Sequence, residues 1–422
     1  MNSGDKMIRK EKFLYDNKNT SVDLAYNENI VNKFSILFAG DTNFGESYLN
    51  SYVLRKNFGF NVLERYGHDF FFQKLKPILH ESDLVIANLE TPLIDEKNTV
   101  KPKFSFSPNN RFNKKQGPFQ HWSDKAKTAE YLKKYNILNV SLANNHLMDY
   151  GIDGLYQTLD RLKESGIRFF GAGVNRRQAG KPYTKNIFIG RSIVKLAVFS
   201  AFEYRKGYDE DFSFYAEDRK GGVNRLSINR IHKKIKKLRK DNNNVFVVAF
   251  PHWGGARNYG WKTDKQTEIG HQLVDAGADI VIGSGPHNMQ QIEEYKGRLI
   301  LYSIGNFMFN TLGKYDKHSA NPFSLAVRLL FKIDRRGSPQ NKPRQDLTIN
   351  NISLAGIKKT IKIYPIMTDN HITKWQARFL EEQEFKIVKN LLIDKNSILK
   401  SSKRYKKVGI DNIGRFIELR LD

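Results

Sequence analysis

Short apolar runs that end in clusters of carboxylate, amide and imidazole groups recur along this chain, and they constrain its fold more than any other feature. Residues 35–40, Ser-Ile-Leu-Phe-Ala-Gly, read as a buried strand closed by a glycine turn, with Asp41 at its end. Similar runs lie at Leu84–Ala87, Ile137–Ala143, Val194–Phe199, Val245–Phe250, Asp279–Ile282 and Leu299–Tyr302. Helix-like stretches, among them Ser123–Lys134, Ile152–Ser165 and Lys265–Ala276, separate many of them. This alternation predicts an α/β sheet covered by helices.

The clusters at the strand ends are Gly40-Asp41-Thr42-Asn43, Asn88-Leu89-Glu90, Asn144-Asn145-His146, His252-Trp253-Gly254 and Pro286-His287. Open α/β sheets place their ligands at strand ends. Oxygen and imidazole donors converging there suit Mg, Mn, Fe or Zn without any thiolate. Two such ions a few ångströms apart would activate water and clamp a phosphate or carboxylate oxygen. Each cluster also has a plain structural reading: Asp41 capping a turn, Asn88-Leu89-Glu90 a capped loop, His252 a core histidine bonded to backbone, His287 a turn residue. Their coincidence at so many strand ends favours a shared site.

The rest of the chain sets boundaries on that reading. Its 422 residues, 40% hydrophobic and 12% aromatic, can bury a sizeable core. There is no cysteine, which excludes disulfides, zinc–thiolate sites and cysteine nucleophiles. Met1–Asn32 is polar, with no apolar run that would serve as a signal-peptide core or membrane span, so a cytoplasmic location is expected. A formal charge of +26 favours phosphate-rich or polyanionic partners, although the lysines are spread widely enough to be simply solvated. Asp95–Trp122 and Glu203–Gly222 interrupt the alternation and are long enough for lids or binding loops. Beyond about Asn310 the pattern changes to strands at Ser324–Ile333 and Ile361–Ile366, a helix at Glu381–Leu392 and a basic patch at Lys403–Lys407. The expected organisation is a polar arm at 1–33, a core at 34–312 and a C-terminal extension at 313–422 packing on it. Leu226–Arg239 sets Ile228, Ile231, Ile235 and Leu238 on one face, as an amphipathic helix covering a sheet would.

The segments GDTNFG, DLVIANLETPL, VSLANNHLMDYGIDGL, GAGVNRRQA, HWG, DAGADIVIGSGPH and YKGRLILYSIGNFMFN follow one another between about Ile36 and Asn310. In kind and order they resemble the motifs of the CapA (PGA_cap) family of capsule synthesis proteins, with a weaker echo at IYPIMTDNHIT. The resemblance implies a four-layer α/β/β/α sandwich of the metallophosphoesterase kind and a role in making or exporting poly-γ-glutamate or a related surface polymer. Residue by residue, it makes Asp41 and Glu90 the acidic metal ligands, with Asn88 beside them, and Asn145 an amide ligand. It makes His252 and His287 the later imidazole ligands. It casts His146, with Asn144 next to it, as the catalytic group that stabilises charge developing on the substrate.

The chain also departs from the family. Where the family commonly reads Gly-His-His-Pro-His, this sequence has Gly283-Ser284-Gly285-Pro286-His287, and Asn43 stands where a metallophosphoesterase carries a histidine. A missing imidazole weakens a metal site or leaves one ion in place of two. Arg257 and Tyr259, after His252, and Arg176, after a Gly-Ala-Gly turn, are candidate substrate-binding residues, since guanidinium groups pair with carboxylates and phosphates. Surface charge and aromatic packing are the alternative for each. The leading expectation is a metal-dependent hydrolase acting on an anionic or phosphate-bearing polymer. A degenerate phosphoesterase fold serving as a subunit of a polymer-synthesis complex is the alternative, and a nuclease ranks below both. A basic surface resting on anionic lipid would place the protein at the inner face of a membrane.

Overall fold

The computed structural model describes residues 32–49, 59–99, 121–190, 192–254, 258–333, 354–395 and 404–421. The arm at 1–31, most of the long segment that starts at Asp95, Arg257 and Lys403 lie outside the described residues, as do the side chains of Tyr405 and Lys406.

Two large sheets carry the molecule. In the first, β1 (Lys33–Asn43), β2 (Leu84–Leu89), β3 (Asn139–Ser141) and β4 (Arg168–Phe170) run parallel in that order. The six residues of β2 are all buried, as expected of a parallel strand covered on both faces. The chain then builds a six-stranded sheet from β5 (Tyr183–Ile189), β6 (Ser192–Phe202), β7 (Val245–His252), β8 (Ile280–Ile282), β9 (Ile292–Tyr295) and β10 (Arg298–Leu301). Here β6, β7, β8 and β10 are parallel, and β5 and β9 are antiparallel edges.

The chain returns to the first sheet through β11 (Asn306–Phe309), which pairs with the end of β1, and β12 (Phe323–Ile333), antiparallel to β1. Antiparallel β13 (Ile357–Met367), β14 (Tyr405–Ile410) and β15 (Arg415–Arg420) complete this mixed, ten-stranded sheet with the short strand Arg378–Phe379. Residues beyond 312 therefore pair directly with the strand that carries Asp41.

Helices α1 (Lys125–Lys134), α2 (Gly151–Glu164), α3 (Ile228–Asp241), α4 (Asp264–Asp275) and α5 (Glu382–Lys395) fall where the periodicity predicts them. Along β1 the side chains alternate between two cores. Leu37 and Ala39 pack with Leu132 of α1 and with Leu155 and Leu159 of α2. Ile36 and Phe38 pack with Val198, Val248 and Ile282 of the second sheet, and Phe38 meets Phe250 edge-on at 5.6 Å. A third core joins Val247, Ala249 and Val281 to Ile231 and Ile235 of α3 and Leu273 of α4. Each fully buried side chain of this size stabilises the fold by about 2 kcal/mol relative to exposure.

One expected loop is different. The Glu203–Gly222 segment forms a short helix at Lys206–Phe212 and buries Phe214 and Tyr215, whose rings lie 5.5 and 6.1 Å from that of Phe202. Aromatic density in that segment makes packing surface as well as loop.

Candidate metal centre

The parallel strands of both sheets deliver their carboxyl ends to one place. Asp41 lies two residues before the end of β1, at an irregularity in the β1–β2 register. A Cβ on Gly40 would stand 1.8 Å from the carbonyl oxygen of Gly305, so only glycine allows this approach, in which Asp41 N–H donates to that carbonyl at 3.0 Å. Glu90 follows β2, Asn144-Asn145-His146 follows β3, His252 ends β7, and the turn at Ser284–His287 follows β8.

Asp41, Glu90 and His252 are 0, 1 and 2% exposed, and one donor atom from each lies within 4.8 Å of the other two. Asn88 ties them together. Its amide nitrogen donates to Asp41 Oδ1 at 2.8 Å and to His252 Nδ1 at 3.2 Å. The other ring nitrogen, Nε2, faces Asn145 Oδ1 at 2.7 Å. Asp41 Oδ2 also accepts from the Gly285 backbone at 3.2 Å. His287 Nδ1 lies 2.9 Å from Asn306 Oδ1 and 3.9 Å from Asp41 Oδ2. His146 Nδ1 is paired with Asp149 Oδ2 at 2.8 Å, which leaves Nε2 3.9 Å from Glu90 Oε1.

The electrostatics of this volume are set by desolvation. Burial pushes Asp41 up to about 7, opposed by its hydrogen bonds to Asn88 and Gly285. Burial, then the adjacent Asp41 charge, pushes Glu90 well above the ordinary carboxylate range. Burial also holds His252 well below its usual range and lowers His287 to about 4. A divalent cation reverses this logic, because it favours carboxylate anions and neutral imidazoles together. Glu90 Oε2 is buried without a hydrogen-bond partner, an acceptor that a bound cation would compensate. The donor set is oxygen and imidazole throughout. The residues fit a divalent ion of the Mn, Fe, Zn or Mg kind.

The structure therefore brings together Asp41, Glu90, Asn145, His146, His252 and His287 from the sequence-derived set. Asn144 lies beneath them: its nitrogen donates to Leu89 O at 2.7 Å and to Asn88 Oδ1 at 3.2 Å, and its oxygen accepts from the backbones of His146 and Leu147. Tyr259 stands beside the site, 5.3 Å from the His287 ring and stacked on His318 at 5.2 Å. Arg176 is elsewhere, with its guanidinium 3.5 Å from Asp218.

Ser284 stands where the resemblance described above leads one to expect an imidazole. Its hydroxyl lies 3.2 Å from His252 Nδ1, and Gly285 next to it has φ 111°. A Cβ there would meet the Trp253 carbonyl oxygen at 2.3 Å, so a histidine cannot replace Gly285 without rebuilding the turn. Residues that sequence reasoning leaves without a role also join the site. Asp149 accepts from both His146 and the His121 backbone, at 2.8 and 2.7 Å. The His121 ring packs edge-on against His146 at 4.0 Å and meets Asn43 Nδ2 at 2.9 Å. Asp149 is present in the quoted motif three residues after His146, whereas His121 ends a long polar segment with no strand to flag it.

Comparison with known proteins gives this geometry a family. The chain is 32% identical over 266 residues to the capsule biosynthesis protein CapA of Bacillus anthracis, covering 61% of this chain and 58% of that one. It is 30% identical over 249 residues to the PGA biosynthesis protein CapA of Bacillus subtilis (strain 168), covering 59% of each. It is 28% identical over 200 residues to a probable polyglutamine synthesis accessory protein of Mycobacterium tuberculosis, covering 45% of this chain and 49% of that one. The matched segment thus spans 58 and 59% of the lengths of the two Bacillus relatives. Residues 35–311, which include every ligand candidate named above, match the model of bacterial capsule synthesis protein PGA_cap, and the chain belongs to that family.

Proposed function

We propose that this protein is a metal-dependent, hydrolase-type component of capsule or poly-γ-glutamate synthesis, built on a four-layer α/β/β/α sandwich of the metallophosphoesterase kind. The partition of apolar side chains among three cores supports that layering. The observation that carries the chemical reading is Glu90 Oε2, buried and unpartnered beside Asp41 and His252. Asp41, Glu90, His252, Asn145 and His287 would hold the ion, and Ser284 in place of an imidazole favours one ion over two. Such an ion supplies Lewis-acid polarisation of a phosphoryl or carbonyl oxygen.

The chain's own groups do the rest. Asp149 holds the Nδ1 proton of His146, so Nε2 is the nitrogen that exchanges a proton with the reacting oxygen. Asn144 fixes the backbone of His146 and acts as a positioning residue. Tyr259, half-buried and packed against His287, His318 and Tyr315, borders the substrate side. The substrate class is an anionic or phosphate-bearing polymer. The net charge of +26 suits work beside such a chain, and beside anionic lipid at the inner membrane face, in company with other polymer-synthesis subunits. No helix among the described residues is long and apolar enough to cross a membrane.

Ser284 and Gly285 favour one second reading, a binding or scaffold subunit that keeps the fold without turnover. Metal content, with hydrolysis of a generic phosphodiester in manganese, separates the two when wild type is compared with Asp41→Ala and His287→Ala. Metal and turnover lost together in the variants is the expected result. A wild type that neither retains nor responds to added metal moves the protein to the scaffold reading.

A further inference from the structure

Away from the metal centre, the 174–182 segment and α3 line an open groove of about 770 Å³. Arg177, Lys181, Lys234 and Lys237 line it against one acid, Asp241, among the described residues. A crevice of only about 20 Å³ adjoins it through the shared Lys234, and its rim adds Arg176, Arg225 and Arg230 to the cationic surface. Among the described residues only Arg176 has a carboxylate partner here, Asp218 at 3.5 Å. Lys234 and Arg230 are half-buried. Burial and the Arg230 charge lower the lysine, while burial and the charges of Arg176 and Arg225 lower the arginine. The cations packed here outnumber the two acids beside them, Asp218 and Asp241, and leave a net positive surface partly out of water.

The arrangement is extended rather than focal. From the shared Lys234 it passes through Arg230 to Arg225, whose guanidinium lies 3.9 Å over the Tyr204 ring. Tyr204 is the sequence neighbour of Arg205, and the charge of Arg205 acts on both Glu90 and His252. The Phe202 ring, at the end of β6 two residues before Tyr204, is 5.7 Å from that of His252. A single phosphate would fill one end of such a path. A chain with a negative charge on every repeat would follow its whole length, and guanidinium groups match carboxylates in particular.

We infer that the cleft from Lys237 through Lys234 and Arg230 to Arg225 is a docking track for an extended polycarboxylate chain that leads toward the metal centre. This rests on the polymer reading above and adds the place where the polymer lies.

The test uses the full chain and fluorescently labelled poly-γ-glutamate in low salt, with binding followed by anisotropy. Wild type, Arg230→Gln/Lys234→Gln and Asp41→Asn are compared, and circular dichroism and metal content establish that each variant is folded and loaded as expected. The double variant should bind the polymer at least about tenfold more weakly, the loss expected of charge-assisted contacts, with its metal content unchanged. Asp41→Asn should retain polymer binding while losing metal. Equal binding by wild type and the double variant overturns the track and leaves the polymer reading standing. No binding by wild type overturns both. Inorganic phosphate displacing the polymer at equal charge concentration would reduce the cleft to a single-anion site, and tighter binding to phosphatidylserine vesicles than to the polymer would assign it to a membrane; either result overturns the track.

Discussion

Asp41 and Glu90 share one buried volume, and their behaviour depends on what neutralises them. With no cation present, Asp41 retains a proton until about pH 7 because burial disfavours its anion. A divalent ion must displace that proton. Apparent metal affinity should therefore fall as pH drops below about 7, by roughly tenfold per pH unit for each proton displaced. His287, lowered to about 4 by burial, stays neutral and does not compete over that range. Calorimetric titration with manganese in buffers of different ionisation enthalpy measures the released protons directly; a pH-independent affinity between 5 and 7 would contradict the assignment. Gly285 makes a second residue-scale prediction. Its φ of 111° and the 2.3 Å approach of the Trp253 carbonyl should make Gly285→Ala cost about 2–5 kcal/mol, read as a shift in the urea midpoint.

At the scale of elements, the loop bearing Tyr259 is held by the start of α4. Thr263 Oγ1 accepts from Gln266 N at 3.2 Å, and Gln266 Oε1 accepts from Thr263 N at 3.0 Å, a reciprocal capping box. Gln266 then donates to Gln290, and Gln290 to the Gly260 carbonyl, at 2.8 and 2.9 Å. Cap and site loop are one hydrogen-bonded chain. Thr263→Ala should cost about 1 kcal/mol in thermal or urea unfolding. Because the same chain reaches Gly260, it should also weaken substrate affinity while leaving metal content unchanged. A loss of metal in this variant would mean that α4 positions the ligands as well as the loop.

For the whole molecule, the first sheet is closed on one side by the C-terminal strands. Ile417 and Leu419 of β15 are buried in the core between the sheets, and β15 pairs with β13 from Thr360 to Ile363. Ending the chain after Lys395 would leave β13 as an unpaired edge and open that core. Such a truncation should lower the yield of soluble protein and produce aggregates by size-exclusion chromatography. A soluble, metal-binding fragment would show instead that residues 404–421 are dispensable to the sheet.

The sequence alone determined the α/β class, the main strands and helices, and the strand-end residues Asp41, Glu90, Asn145, His146, His252 and His287, because burial on both faces writes continuous apolar runs and parallel strands put polar groups at their ends. It also showed Ser284-Gly285 where the resemblance leads one to expect imidazoles. Tertiary structure alone decided how those ends meet: Asn88 linking Asp41 to His252, Gly285 donating to Asp41, Asp149 orienting His146, and His121 arriving from a segment with no periodic signal. The same holds for the cationic cleft, whose residues come from separated segments, 176–181 and 225–237. Local pattern records which groups a residue's own strand or helix will bury. Distances across two sheets depend on strand order and register, and no neighbour in sequence encodes them.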